Sequence, residues 1–166
     1  MTLPTGEQIR RNILDRARVK LTEAFHRNFE RKAFFSRAWT PRKQGRRGSL
    51  LVVSGRLRRS LRAQVIHSGI RFSSSMPYAS AHNEGYEGPT KVPAHTRRAH
   101  AARRIVKGRA RRVQVSAHAV RAHTKHLKLP ERRFVGDAPE VRTTIEQCVR
   151  HEMTDFANQL TLLLKP

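Results

Sequence analysis

Apolar residues recur every four positions near the start of the chain, at Ile9, Ile13, Ala17, Leu21, Phe25 and Phe29, with Leu14 and Ala24 widening the stripe. That period predicts one amphipathic helix from Gln8 to about Arg37. Thr5 is placed to cap it, and Gln8, three residues on, completes a capping-box pattern. The Thr40-Pro41 step is expected to end it, because the residue before a proline is pushed out of the helical region. Trp39 and the Phe34-Phe35 pair, at that exit, are expected to anchor it to the core. A second stripe, Val141, Ile145, Cys148, Val149, Phe156, Leu160 and Leu163, predicts a helix from Pro139 to Leu164. Asp137 is its candidate cap, and Pro139 suits its first turn.

Between these helices the period changes. Ser49 to Leu61 joins the run Leu50-Leu51-Val52-Val53 to a Ser54-Gly55 turn, followed by Leu57 and Leu61 at helical spacing. Ala63–His67 and Ile70–Ser74 read as two short strands around Ser68-Gly69, a hairpin signal. Pro77 to Glu84 reads as a short helix closed by Gly85. From Lys91 to Leu129 the chain carries a partial echo, Ala94-His95-Thr96-Arg97 returning as Ala122-His123-Thr124-Lys125. Val113 to Ser116 alternates as a strand does. Two extended arms joined by a basic tip from Arg103 to Arg112, with Gly108 for the turn, account for this stretch. Its apolar surface is small, so it should project and order against something else. The class is α+β: a long N-terminal helix, a small antiparallel sheet with an extended basic β-hairpin insertion, and a long C-terminal helix. One domain over 1–166, with 88–130 as the insertion, is the expected organisation.

Charge changes the picture most. The 166 residues hold 35 Lys+Arg against 12 Asp+Glu, a formal net charge of +23. No carboxylate occurs from Arg31 to Asn83, nor from Gly88 to Pro130, and each block holds twelve Lys/Arg. A charge this large is self-repulsive unless something negative lies close by, so an anionic partner is expected. Composition excludes other classes. The start of the chain has no secretory-leader pattern, and no stretch approaches the ~20 apolar residues of a membrane span, so no membrane partner is expected. Cys148 is the single cysteine, which rules out a disulfide framework within the chain or a Cys-based metal cluster.

Catalytic chemistry finds little support. His95, His100, His118, His123 and His126 sit in a block without Cys, Asp or Glu, the residues that normally complete a zinc site, so they read as polar strand positions or phosphate donors. Ser54-Gly55 lacks a nucleophile-elbow context, and there is no phosphate-cradling Gly-rich loop. His82 has no nucleophile to serve as a base. No catalytic, cofactor-binding or metal residues are assigned, and no cofactor is expected. Gly88 to Pro130 holds no Phe, Tyr or Trp, so stacking on single strands is not expected there. What remains is sequence-blind contact to phosphates, or to an acidic protein, through Arg103, Arg104, Lys107, Arg109, Arg111 and Arg112.

Four segments in order then carry a resemblance. Trp39-Thr-Pro, Leu51-Val-Val-Ser-Gly-Arg-Leu-Arg-Arg-Ser-Leu61, Pro77-Tyr-Ala-Ser-Ala-His-Asn-Glu-Gly85 and Leu129-Pro-Glu-Arg-Arg-Phe-Val-Gly136 resemble the motifs of the phage virion morphogenesis, or tail-completion, family. The matching positions are Trp39, Gly55, Leu57, Tyr78, His82, Gly85, Pro130, Arg132, Phe134 and Gly136. Glu131-Arg132-Arg133 departs from the family's usual small residue and single Arg. Gly55, Gly85 and Gly136 suit positive φ or close backbone approach, and Tyr78 and His82 share one face of a helical turn. Pro130 sets an extended lead-in, and Phe134 anchors the start of the last helix. The resemblance implies a non-enzymatic virion protein, made in the host cytoplasm, that forms a homo-oligomeric ring at the head–tail junction or top of the tail. A hexamer is the expected order, with neighbouring neck and tail-tube proteins as partners and packaged DNA passing through or near it. A basic nucleic-acid-binding or ribosome-associated protein is the alternative, and a small hydrolase built around His82 ranks below both.

Overall fold

A computed structural model describes residues 3–42, 49–106 and 109–164. These residues form an α+β fold that divides into two compact units, one running to Gly85 and resuming at Pro130, the other Tyr86–Leu129. Lys107 and Gly108, at the expected tip of the arm, lie outside the described residues.

In the first unit, helix α1 spans Gly6–Arg31 and starts as its sequence predicts: Thr5 accepts from the Gln8 N–H, and the Gln8 side chain accepts from the Thr5 N–H. It ends earlier than predicted. Lys32 turns left-handed, φ 57°, and donates its N–H to the Asn28 carbonyl, so Thr40-Pro41 is not the stop. Asn28, in line with the buried stripe, explains the difference. Its Oδ1 accepts from the Phe35 N–H at 3.0 Å and its Nδ2 donates to the Phe134 carbonyl at 3.2 Å. The chain after the helix is thereby held in a tight hairpin of β1 (Ala33–Phe34) and β2 (Arg37–Ala38).

That hairpin feeds aromatic residues into the core. Phe25 meets Phe72 edge-on at 4.9 Å between centroids, and Leu21, Phe34, Leu61 and Val141 close around them. A second cluster joins Phe29, Trp39, Leu57 and Phe134. Leu57 comes from the short helix α2 (Arg56–Ser60), which leads directly into β3 (Leu61–Ile66). β3 pairs with β4 (Gly69–Ser74) from Leu61↔Ser74 to Ile66↔Gly69, the predicted hairpin. Then α3 covers Ala79–Asn83.

The last helix, α4 (Pro139–Leu163), packs on α1. Val141 and Cys148 are buried, and buried Glu152 accepts from Asn12 Nδ2 at 2.7 Å and pairs with Arg16. Two expectations fail here. Asp137 does not cap the helix; Ala138 occupies that position, and Asp137 pairs with Arg142 at 2.6 Å instead. The expected core stripe is also only half covered. Ile145, Val149, Leu160 and Leu163 remain 37% to 41% exposed, Phe156 is half-buried, and Met153, outside the expected stripe, adds to the same face at 42%. The buried line of the helix takes only Val141 and Cys148 from that stripe and continues through Glu152, which meets Asn12 and Arg16 of α1.

The second unit is one antiparallel ribbon in a single register. β5 (Tyr86–Val92) pairs with β10 (His123–Leu129), β6 (His95–Arg97) with β9 (His118–Val120), and β7 (His100–Val106) with β8 (Arg109–Val115). The strands thus pair two by two and do not extend a common sheet.

Candidate functional site: a basic pocket and a basic ribbon

Within the helical unit, the segment 132–135 is tied down on every side. The Arg132 N–H donates to the His82 carbonyl at 2.8 Å, and its Nε donates to the Thr40 carbonyl at 3.0 Å. Trp39 Nε1 donates to the Arg133 carbonyl at 2.6 Å. Asn83 Oδ1 accepts from both the Phe134 and Val135 N–H groups, at 3.0 and 3.1 Å. Residues spread over about a hundred positions therefore converge on one place.

Two of them, His82 and Arg132, open onto a pocket of ≈ 230 Å³ lined by Leu50, Leu51, Val53, Leu57 and Tyr78 on its apolar side and by Arg42, Ser54, Arg56, His82 and Arg132 on its polar side. Tyr78 and His82 meet edge-on at 5.9 Å. Among the described residues no carboxylate lines the pocket. Arg132 is only 8% exposed. Burial, and after it the positive charge of Arg42, hold Arg132 below the usual guanidinium value. His82 sits below the ordinary imidazole value for the same first reason, with Arg132 second. Its Nδ1 is buried without a hydrogen-bond partner among the described residues.

Four of the motif positions, Leu57, Tyr78, His82 and Arg132, line this pocket, while Trp39 and Phe134 build the core behind it. Gly55 and Gly85 take φ of 69° and 82°, as turns needing glycine do. Gly136 does not: its φ is not positive, and the nearest atoms a Cβ there would meet belong to the flexible Arg133 side chain, its Cδ at 3.0 Å. Pro130 opens the segment that carries Arg132. The family model for phage virion morphogenesis proteins matches residues 7–154. The chain belongs to the phage virion morphogenesis family. No curated protein and no solved structure shows significant similarity to it. Membership gives it a part in building a bacteriophage virion, and among the described residues no helix is long and apolar enough to cross a membrane.

Two asparagines of this family member have roles that no motif marks. Asn28 and Asn83 each accept main-chain N–H groups that would otherwise be buried unpaired. A polar residue within an apolar helix stripe was the available signal for Asn28. Asn83 stood inside a motif without an assigned role.

The second basic feature is the ribbon. It carries twelve Lys/Arg and one carboxylate, Glu87, whose pKa is lowered by a hydrogen bond from Lys128 at 2.6 Å. Its register sets Arg103 opposite Arg112 and Arg104 opposite Arg111. Like charges placed directly across a ladder repel. Strand alternation puts the successive Arg111 and Arg112 on opposite faces. Arg103, Arg109, Arg111 and Arg112 are exposed; Lys107 is among the residues not described. The Ala-His echo turns out to occur four times. His95, His100, His118 and His123 each bring Nδ1 to the carbonyl two residues earlier, at 3.0 to 3.1 Å. These four follow the two interruptions of the ladder, at 93–94 across from 121–122 and 98–99 across from 116–117. A carbonyl only accepts, so each ring donates from Nδ1. Carbonyls released by the interruptions are thereby satisfied, which gives these histidines a main-chain role. Among the described residues no group of three or more potential metal ligands comes together.

Proposed function

We propose that this protein is a structural, non-enzymatic component of the phage neck or upper tail, a tail-completion protein that assembles as a homo-oligomeric ring of six copies. Residues 88–130 serve it as a basic insertion within a single tail-completion domain. One observation carries the assembly reading: the stripe of α4 from Ile145 to Leu163 is apolar, regular and only partly covered, with Ile145, Val149, Met153, Leu160 and Leu163 each more than a third exposed. An apolar helix face left in water is disfavoured at roughly 25 cal/mol per Å² and is relieved when another copy covers it. Neighbouring neck and tail-tube proteins stack on the ring, and the ribbon's arginines contact packaged DNA through phosphates, without reading sequence. Family membership favours this over a ribosome-associated role.

Light scattering on a gel-filtration column tests the ring. The purified chain should run at about six times 19.1 kDa, and the double variant Val149→Glu, Met153→Glu should run as a folded monomer. A wild-type chain that stays monomeric at tens of micromolar would overturn the reading.

A further inference from the structure

The pocket and the ribbon are both basic, but they suit different anions. Arg103 and Arg112 stand in solvent, where the phosphates of a duplex can reach them. Arg132 does not: it is 8% exposed, at the back of a pocket walled by Leu50, Leu51, Leu57 and Tyr78. The convex surface of a duplex is a poor match for a concave space of ≈ 230 Å³ with Leu50, Leu51, Leu57 and Tyr78 among its walls. A carboxylate at the end of a Glu or Asp side chain can enter it, with the flanking residues of its chain lying on Val53 and Tyr78 at the rim. A buried guanidinium with no counter-charge is costly, and no carboxylate among the described residues lies within salt-bridge distance of Arg132 or Arg56.

The chain is poorly equipped to supply that carboxylate from another copy. Nine of its twelve acidic residues are already in ion pairs: Asp15, Glu23, Glu30, Glu87, Glu131, Asp137, Glu146, Glu152 and Asp155. A net charge of +23 opposes self-recognition at a basic pocket in any case.

We propose that this pocket is a receptor for an acidic side chain carried on an extended, partly apolar segment of a different protein, with Arg132 and Arg56 pairing with the carboxylate. Arg132 is the buried anchor, held in place through Nε by the Thr40 carbonyl. Bidentate pairing through its remaining N–H groups is the geometry that guanidinium offers a carboxylate. Arg56, exposed at the rim, steers and then adds a weaker contact. The inference goes beyond ring formation and does not depend on it.

The test uses the full ¹⁵N-labelled chain and the tripeptide acetyl-Leu-Glu-Leu-amide, with its Gln counterpart and inorganic phosphate as controls. Arginine Nε–H signals are followed by NMR. The Glu peptide should shift Arg132 and Arg56 saturably, while arginines of the ribbon drift without saturating, and the Gln peptide should move neither. Arg56→Gln should weaken binding about threefold, the scale of an exposed ion pair. Val53→Asp, at a rim position 70% exposed, should place a resident carboxylate at the pocket and abolish the response without unfolding the chain. Equal shifts from the Gln peptide, tighter saturation by phosphate, or normal binding by Val53→Asp would each overturn the proposal. The column mass of the same sample reports separately on the ring.

Discussion

The helical unit and the ribbon differ in what keeps them ordered. In the helical unit, Phe25, Phe29, Leu57 and Phe134 are almost fully removed from water, and buried Asn28 and half-buried Asn83 tie the chain around Phe134 in place. In the ribbon, Ile105 is 80% exposed, and only residues such as Val92, Val113, Val115, Leu127 and Leu129 reach half-burial. A two-stranded ribbon of this kind is marginal in water. Its order rests on a ladder in one register and on histidines that close the ladder's gaps. The difference teaches where selection for partners can act. Core positions are constrained by packing, whereas ribbon positions are free to carry arginine on both faces, a distribution that favours a polyanion over a folded core.

Four experiments would break or sharpen that contrast. The largest expected effect is on stability. Phe25→Ala should cost about 3–5 kcal/mol in urea denaturation, while Ile105→Ala should stay within about 0.5 kcal/mol. Similar losses at both would erase the distinction between the two regions.

Next comes salt. If six ribbon residues neutralise phosphates, duplex DNA affinity should fall roughly a thousand-fold between about 50 and 200 mM salt. Changing Arg103, Arg104, Lys107, Arg109, Arg111 and Arg112 to Gln should flatten that slope and leave the melting temperature in place. An unchanged slope would move the contact to the helical unit, and preference for one DNA sequence would contradict phosphate contact altogether.

A smaller effect is expected from Asn83→Ala. It leaves the Phe134 and Val135 N–H groups without their acceptor, at about 1–3 kcal/mol for an unsatisfied buried group. Near-UV circular dichroism of Trp39 should report the loosening, and a neutral result would mean that the segment is held by its other bonds alone.

The smallest is a pH effect confined to the helical unit. Burial, then Arg132, lowers His82; burial, then Arg58, lowers His26, with Glu30 opposing. The folded values lie below the ordinary imidazole value of about 6.5. Their contribution is therefore complete above that pH and lost as pH falls through the folded values, because the unfolded chain binds the proton first. The melting temperature should drop between pH 7 and 5, and His82→Gln should make that drop shallower. An identical profile for the variant would remove His82 from the account.

Much of the architecture was legible along the chain. The capping box at Thr5 and Gln8, the β3–β4 hairpin and the long ribbon are local features, each written in a few consecutive residues. The first helix was read six residues too long because Asn28 acts through partners at 35 and 134, which no local period reveals. The α4 stripe was read as core throughout, since periodicity shows that a face is apolar but not what covers it. Of the site, the motif residues could be named individually. That Leu57, Tyr78, His82 and Arg132 share one pocket could not.

Local sequence sets the helical periods, the turns, the hundred-residue spacing of motifs and a charge of +23 concentrated where carboxylates are missing. These follow from short-range sterics and composition, which need no knowledge of distant neighbours. Tertiary structure alone decided that α1 stops at Arg31, that half of the α4 stripe faces outward, and that Arg132 is buried beside His82 while Arg103 is not. Each of these turns on burial, and burial depends on which distant segments arrive at the same place. Two arginines identical in sequence chemistry thereby become different ligands, one open to phosphate and the other shaped for a carboxylate that can reach inside.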